Sequence, residues 1–147
     1  MIDHVIGFIE RYGINAEIIE LELSIDEFNL VTEYKALNED ALATTYSLTC
    51  MDSNYIAILC GSKMMDLKKL SSIIGCPPDL FKVKSINSCI LFSDTIWSYK
   101  IIIDEICLHN RYILIPLNNY YLIMIKPEEF IRVFKPLIND ISMEYVI

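Results

Sequence analysis

Apolar residues recur along this chain at two spacings, and the switches between them lay out its elements. Ile2, Val5, Ile6 and Ile9 fall on one side of a 3.6-residue turn, which predicts a helix over 2–12 closed by Gly13. Over 16–23 the period drops towards two. Ala16, Ile18 and Leu21 interleave with Glu17, Glu20 and Glu22, and the segment reads as a strand. Ser24-Ile25-Asp26-Glu27 is a capping box, with Ser24 at the N-cap and Glu27 reaching back, and it opens a helix that runs to about Leu37. Residues 38–40 form a loop. Residues 42–50 and 54–60 make a hairpin through Met51-Asp52-Ser53. Its second strand is almost wholly apolar from Tyr55 to Cys60, the mark of a central strand covered on both faces.

Asp66 caps the next helix, 67–74, whose Leu67, Leu70, Ile73 and Ile74 face the core. Gly75 and the Cys-Pro-Pro that follows end it. A short strand is expected over 81–83, while 85–98 follows neither period. Strands are expected over 99–103, 111–115 and 120–125, with Asn118-Asn119 as the turn between the last two. Pro127 opens a helix over 127–134, with Glu128 and Glu129 at its positive end. Pro136 stops it, and 140–146 reads as a closing strand. The pattern predicts a mixed α+β fold in which residues 1–147 form one domain. Its sheet is largely antiparallel and mixed, or a partial barrel, and is flanked by helices.

Composition narrows the classes. The chain has 147 residues, enough for one buried core, and 54 % of them are hydrophobic. No stretch reaches the ~18 uninterrupted apolar residues of a membrane helix. The segment Met-Ile-Asp-His-Val-Ile-Gly lacks the basic region and the cleavage site of a signal peptide. A cytoplasmic protein with no membrane partner is expected. The five cysteines, at 50, 60, 76, 89 and 107, form no C-x-x-C pair and sit mostly in apolar runs, so they read as reduced, buried thiols. His4 and His109 are the only histidines, and neither a metal nor a cofactor is expected.

The net charge of −8 is unevenly spread. Residues 1–62 carry eleven acidic and two basic side chains, whereas 63–100 carry six lysines against Asp66, Asp79 and Asp94. An acidic chain is a poor non-specific binder of nucleic acid, so no DNA partner is expected. Only the middle third can offer a phosphate-binding face, and on charge alone ordinary solvated lysines are the better account of it.

Two blocks carry a resemblance. Residues 54–75 run strand, Gly-containing loop, then Asp66-Leu67-Lys68-Lys69-Leu70 into a helix. Residues 100–141 run strand, Asp104-Glu105, two further strands, Pro127-Glu128-Glu129-Phe130 and a final Asp140-Ile141. Together they resemble the YbaK/ProX family of aminoacyl-tRNA editing domains, and the likeness extends over nearly the whole chain. The resemblance implies a YbaK-like fold and trans-acting hydrolysis of the ester in mischarged Ala- or Cys-tRNA(Pro). The implied partner is the 3′ end of an aminoacyl-tRNA. That chemistry needs a held water, donors for the developing oxyanion and help from the vicinal ribose hydroxyl.

The family's Lys-Thr dipeptide aligns on Thr44-Thr45, so its lysine position holds Thr44. Its Gly-rich loop falls within 82–98, where there is no glycine, and its late Gly turn is Ile115-Pro116-Leu117-Asn118. The candidate catalytic residues are Thr44 and Asp104, although Asp104 reads first as a strand-end turn carboxylate. The candidate substrate-binding residues are Thr45, Gly61, Ser62, Lys63 and Ser88. Ser85, Asn87 and Ser93 also stand where the Gly-rich loop would be. Trp97 reads as a core aromatic or a base-stacking surface. Cys89 has no basic partner near it in sequence. Because the substitutions remove a cation and flexible backbone, two readings stay open. One is a deacylase that works through positioning. The other is a catalytically degenerate member that binds tRNA, a nucleotide or a protein. A homodimer built on excess apolar surface is a further expectation.

Overall fold

The hairpin of β2 (Ala43–Cys50) and β3 (Ser53–Cys60) is the centre of the molecule. The computed structural model describes residues 2–21 and 38–144. The capping box at Ser24, the helix predicted to Leu37 and the end of the predicted closing strand lie outside the described residues. Met51 takes a left-handed φ of 55° at the hairpin turn. β3 is buried from Tyr55 to Cys60, as its unbroken apolar run predicts.

β2 pairs on its other side with β5 (Lys82–Ile86), and β3 pairs in parallel with β6 (Lys100–Asp104). β6 pairs in parallel with β9 (Leu137–Asn139), giving the five-stranded order β5-β2-β3-β6-β9. A separate antiparallel sheet has the order β1-β8-β7, from Ala16–Glu20, Tyr121–Ile125 and Ile113–Pro116. β4 (Met64–Met65) and β10 (Ser142–Met143) form a small third ladder. With α1 (Ile2–Arg11), α2 (Leu67–Ile74) and α3 (Pro127–Phe134), the described residues hold three helices and ten strands. The fold is α+β, and its sheets do not close into a barrel. The strand pairings are largely antiparallel and mixed, as expected, but are shared among three sheets, the widest of which has two parallel pairings.

Strand alternation sorts the core into two layers. Ile56, Ile58 and Cys60 face α1, α3, the second sheet and the segment 88–98. Tyr55, Ala57 and Leu59 face α2 with Leu48, Leu70 and Ile102. Segment 88–98, which follows neither period, consists of two 3₁₀ turns, Ser88–Phe92 and Asp94–Ser98, that bury Leu91, Phe92 and Ile96. Trp97 stacks on Phe8 and Phe134 with ring centroids 5.9 and 6.1 Å away, yet it stays 44 % exposed. Its Nε1–H donates to Tyr12 Oη, whose hydroxyl donates to Asp94. That bond and the Arg11 guanidinium hold the Asp94 carboxyl below its usual range.

The cysteines need a correction. Cys50 and Cys76 are joined in a disulfide with Cα atoms 6.6 Å apart, so the reading of five reduced thiols does not hold. Alternation turns Cys50 inward at the end of β2, and Gly75, at φ 81°, ends α2 and turns the chain back so that Cys76 meets it. Cys60 and Cys107 are free and buried, and Cys89 is free and half-buried.

Candidate functional site

Three segments far apart in sequence meet at the start of β2. A 3₁₀ turn, Glu39–Ala41, delivers the chain into the strand, with Asn38 Oδ1 accepting the Asp40 N–H at 2.8 Å. β2 then places Thr45 opposite Ile58 on one side and Ile86 on the other. Beyond Ile86, Asn87 Oδ1 caps the next turn by accepting the Cys89 N–H at 2.8 Å. Its amide Nδ2 donates to Leu117 O at 3.3 Å, tying this segment to the late turn. In that turn, Asn118 Oδ1 accepts the N–H groups of Tyr120 and Tyr121, both at 2.9 Å. Side-chain amides thus do the shaping that the resemblance assigns to glycine.

The three segments enclose a cleft of about 290 Å³, lined by residues 42–45, 86–88 and 116–119. Thr45 is 1 % exposed, and its hydroxyl lies 2.8 Å from that of Ser88, which is 6 % exposed. No charged side chain is among its lining residues. The cleft can therefore orient a ligand through hydroxyl, amide and backbone groups, but it offers no cation and no base.

A second recess of about 200 Å³ shares Leu42 and Thr44 with the cleft and adds Glu39, Asp40, Gly61 and Ser62. Thr44 pairs with Leu59 and Thr45 with Ile58, so the two threonines face opposite sides of the sheet. Gly61 has φ 71°, and a Cβ there would stand 3.3 Å from the Asp40 carbonyl oxygen. A side chain here would be strained by the left-handed backbone and would press on the turn before β2.

The structure thus brings Thr44, Thr45 and Ser88 to one cleft and Thr44, Gly61 and Ser62 to its neighbour. Lys63 and Asp104 line neither. Lys63 is ion-paired with Glu144. Asp104 is fully buried, and its two oxygens accept the Ile141 N–H at 3.0 Å and the Ser142 hydroxyl at 2.7 Å. Its carboxylate holds the returning chain and points into no cleft. The half-buried Cys89 thiol donates to Leu117 O, and burial pushes its pKa up, away from the thiolate a nucleophile needs. Asn87 and Asn118 read from the sequence as loop and turn residues, but nothing local foretells the bond that ties Asn87 to Leu117. Their signal was the Asn-Ser and Asn-Asn pairs, which mark turns in any chain.

The lysines of 63–100 do not share a face. Lys69 is held by Asp140 at 2.9 Å, which raises its pKa, and Lys100 lies at the far end of the sheet. Lys82 and Lys84 are different. They pair with Thr49 and Ser47 on β2, and alternation puts them on the same face as Ile86 and Thr45. Both are exposed and have no ion-pair partner among the described residues. A short cationic track therefore leads along β5 to the cleft.

No family model and no curated protein matches the chain. Solved structures do. A candidate trans-editing enzyme for prolyl tRNA synthetase matches with a TM-score of 0.74 at 13 % identity, with 96 % of each chain covered. The crystal structure of a hypothetical protein matches at 0.73 and 12 % identity, over 95 % of this chain and 99 % of the other. A protein from computational epitope backbone grafting on scaffolds matches at 0.74 and 12 % identity, with 97 % of each chain covered. At these identities the likeness is one of fold. The chain has an α+β fold shared with these structures. Among the described residues no helix is long and apolar enough to cross a membrane.

Proposed function

We propose that the chain acts as one editing-type domain over residues 1–147. In this reading it takes the 3′ end of an aminoacyl-tRNA into the cleft at the start of β2 and hydrolyses mischarged tRNA of the Ala- or Cys-tRNA(Pro) kind. The observation that carries the reading is the convergence of 42–45, 86–88 and 116–119 on one neutral cleft at the end of the Lys82–Lys84 track. The two lysines lie two residues apart on one strand face, about 7 Å at roughly 3.4 Å per residue, a spacing that lets each meet a separate phosphate.

The Thr45–Ser88 hydroxyl pair supplies a donor for the ester oxygen as it gains charge. A water oxygen adds to the ester carbonyl carbon, and the tetrahedral adduct then expels the ribose oxygen. That oxygen leaves with the proton taken from water, relayed by the vicinal ribose hydroxyl. The cleft offers no general base of its own, so acceleration comes from positioning and hydrogen bonding.

A second reading, binding without turnover, is favoured by one specific observation. Thr44 stands where the resemblance expects a lysine, and no cation lines the cleft. One set of assays separates the two. Ala-tRNA(Pro) and Cys-tRNA(Pro) are incubated with the native chain, Thr44→Lys, the Thr45→Val/Ser88→Ala pair and Lys82→Ala/Lys84→Ala. Deacylation should proceed with the native chain and fall at least tenfold in the Thr45/Ser88 pair. The lysine pair should weaken binding and lower the salt slope by roughly two. Binding without turnover would leave the second reading standing, and absence of binding would remove both.

A further inference from the structure

The outer edge of β9 is bare. The five-stranded sheet ends in β5 on one side and in β9 on the other. β5 carries Lys82 and Lys84, and β1, at the edge of the second sheet, carries Glu17 and Glu20. Charges along an edge oppose the approach of another strand. β9 reads Leu137-Ile138-Asn139 and carries none. Leu137 is 51 % exposed and Ile138 42 %, an adjacent pair of exposed large apolar side chains. Successive side chains of a strand point to opposite faces, so the edge is apolar and uncovered on both.

The charges that flank this strip favour a second copy of the chain. Lys135 precedes it and Asp140 follows it. Antiparallel pairing of the strip with itself sets the positive end of each copy beside the negative end of the other, whereas parallel pairing sets like beside like. Lys135 has no ion-pair partner among the described residues. Asp140, although held by Lys69 at 2.9 Å, keeps its side chain 50 % exposed. Symmetry narrows the register. A two-fold axis normal to the sheet keeps each face on its own side, so one residue sits opposite its own copy at the centre. Centring on Leu137 would set Pro136, which has no N–H, against Ile138. Centring on Asn139 would need Ile141, which is buried with its N–H on Asp104. Centring on Ile138 sets Leu137 against Asn139 and leaves Pro136 at the end of the ladder, with Lys135 one position from the other copy's Asp140.

From this edge we infer that the chain forms a two-fold dimer in which β9 pairs antiparallel with β9 of a second copy, centred on Ile138. The two five-stranded sheets become one continuous sheet, and the contact closes on itself because the same edge serves both copies. The strip over 135–140 is about 20 Å long at roughly 3.4 Å per residue. That is short for a permanent interface, which buries at least about 1,200 Å² in all, so the dimer exchanges with monomer. β9 lies three strand spacings from β2, about 14 Å at roughly 4.8 Å each, so pairing leaves both clefts open. Neither cleft takes part, and the dimer does not depend on the tRNA reading.

Sedimentation equilibrium of the intact chain from about 10 μM to about 1 mM tests the dimer, a range that brackets the Kd of a transient complex. A reversible monomer–dimer equilibrium is expected, with the largest concentration-dependent amide shifts at residues 136–139. Ile138→Lys places two like charges across the axis and should raise the dimer Kd at least tenfold. Ile138 is exposed, so the urea midpoint of that variant should stay at the native value. Lys135→Glu sets like charges beside Asp140 and should also weaken the dimer, most strongly at low salt. Val83→Lys, on the β5 edge, should leave the Kd unchanged. Monomer throughout the range would overturn the inference. So would a dimer that Val83→Lys weakens and Ile138→Lys does not.

Discussion

Asp104 illustrates how much a single residue's role depends on partners far along the chain. A carboxylate at the end of a buried strand beside Glu105 reads first as a turn residue and second as an acceptor for a ligand hydroxyl. Its partners, Ile141 and Ser142, lie 37 and 38 residues further on. Both oxygens accept hydrogen bonds inside the protein, so its removal strands two buried donors. Asp104→Ala should cost about 2 kcal/mol, the scale of hydrogen bonds to a charged group, read as a lower urea midpoint. An unchanged midpoint with lost deacylation would instead return Asp104 to catalysis. Thr44 and Thr45 show the same dependence. Their place at the strand start was legible, but which hydroxyl meets Ser88 is decided by pairing with Ile58 and Ile86.

At the scale of elements, what was local was legible. Asp66 accepting the N–H groups of Lys68 and Lys69, with Gly75 at the other end, bounds α2 where the sequence places it. Pro127 does the same for α3. β9 was missed because its pairing with β6 is parallel and rests on residues more than thirty positions away. The turns over 88–98 were missed because 3₁₀ geometry follows neither hydrophobic period. At the site, the alignable threonines and the turn asparagines were visible, whereas the bond from Asn87 to Leu117 was not, because its partner lies 30 residues away.

α3 also carries a pH-sensitive clamp. Arg132 donates to Glu129 through Nε at 2.6 Å and Nη2 at 2.9 Å, and the Asn15 N–H donates to Glu129 Oε2 at 2.6 Å. The Arg132 hydrogen bonds, helped by that N–H, hold the Glu129 carboxyl down at about 2. An unfolded glutamate titrates near ~4.3. The clamp's contribution is therefore complete above that value and is lost as the pH falls towards 2. Urea midpoints measured between pH 6 and 2.5 should fall less steeply for Glu129→Gln than for the native chain. Parallel curves would show that the clamp is not what titrates.

For the molecule as a whole, the Cys50–Cys76 bond is the one covalent tie across the fold among the described residues. It joins the end of β2 to the residue after the C-cap of α2 and so pins that helix over the Leu48–Leu59–Leu70 layer. Closing a loop of this separation, 26 residues, removes unfolded-state entropy worth about 3.5 kcal/mol on the chain-entropy model. Reduction should lower the melting temperature by several degrees, and a Cys50→Ser variant should start low and ignore the reductant. Equal melting with and without reductant in the native chain would show that the bond contributes nothing.

The parallel order β3-β6-β9, with Asp104 bonded to Ile141 and Ser142, also has a consequence for synthesis. A nascent chain ending at residue 136 already contains every strand of the central sheet except β9. Yet at that length β6 presents an open edge, and Asp104 has neither of its donors. The last bonds to form in time are therefore among the most deeply buried in space. Until they form, the growing polypeptide carries the apolar strand β6 with an unpaired edge, which is the kind of surface that holdase chaperones bind.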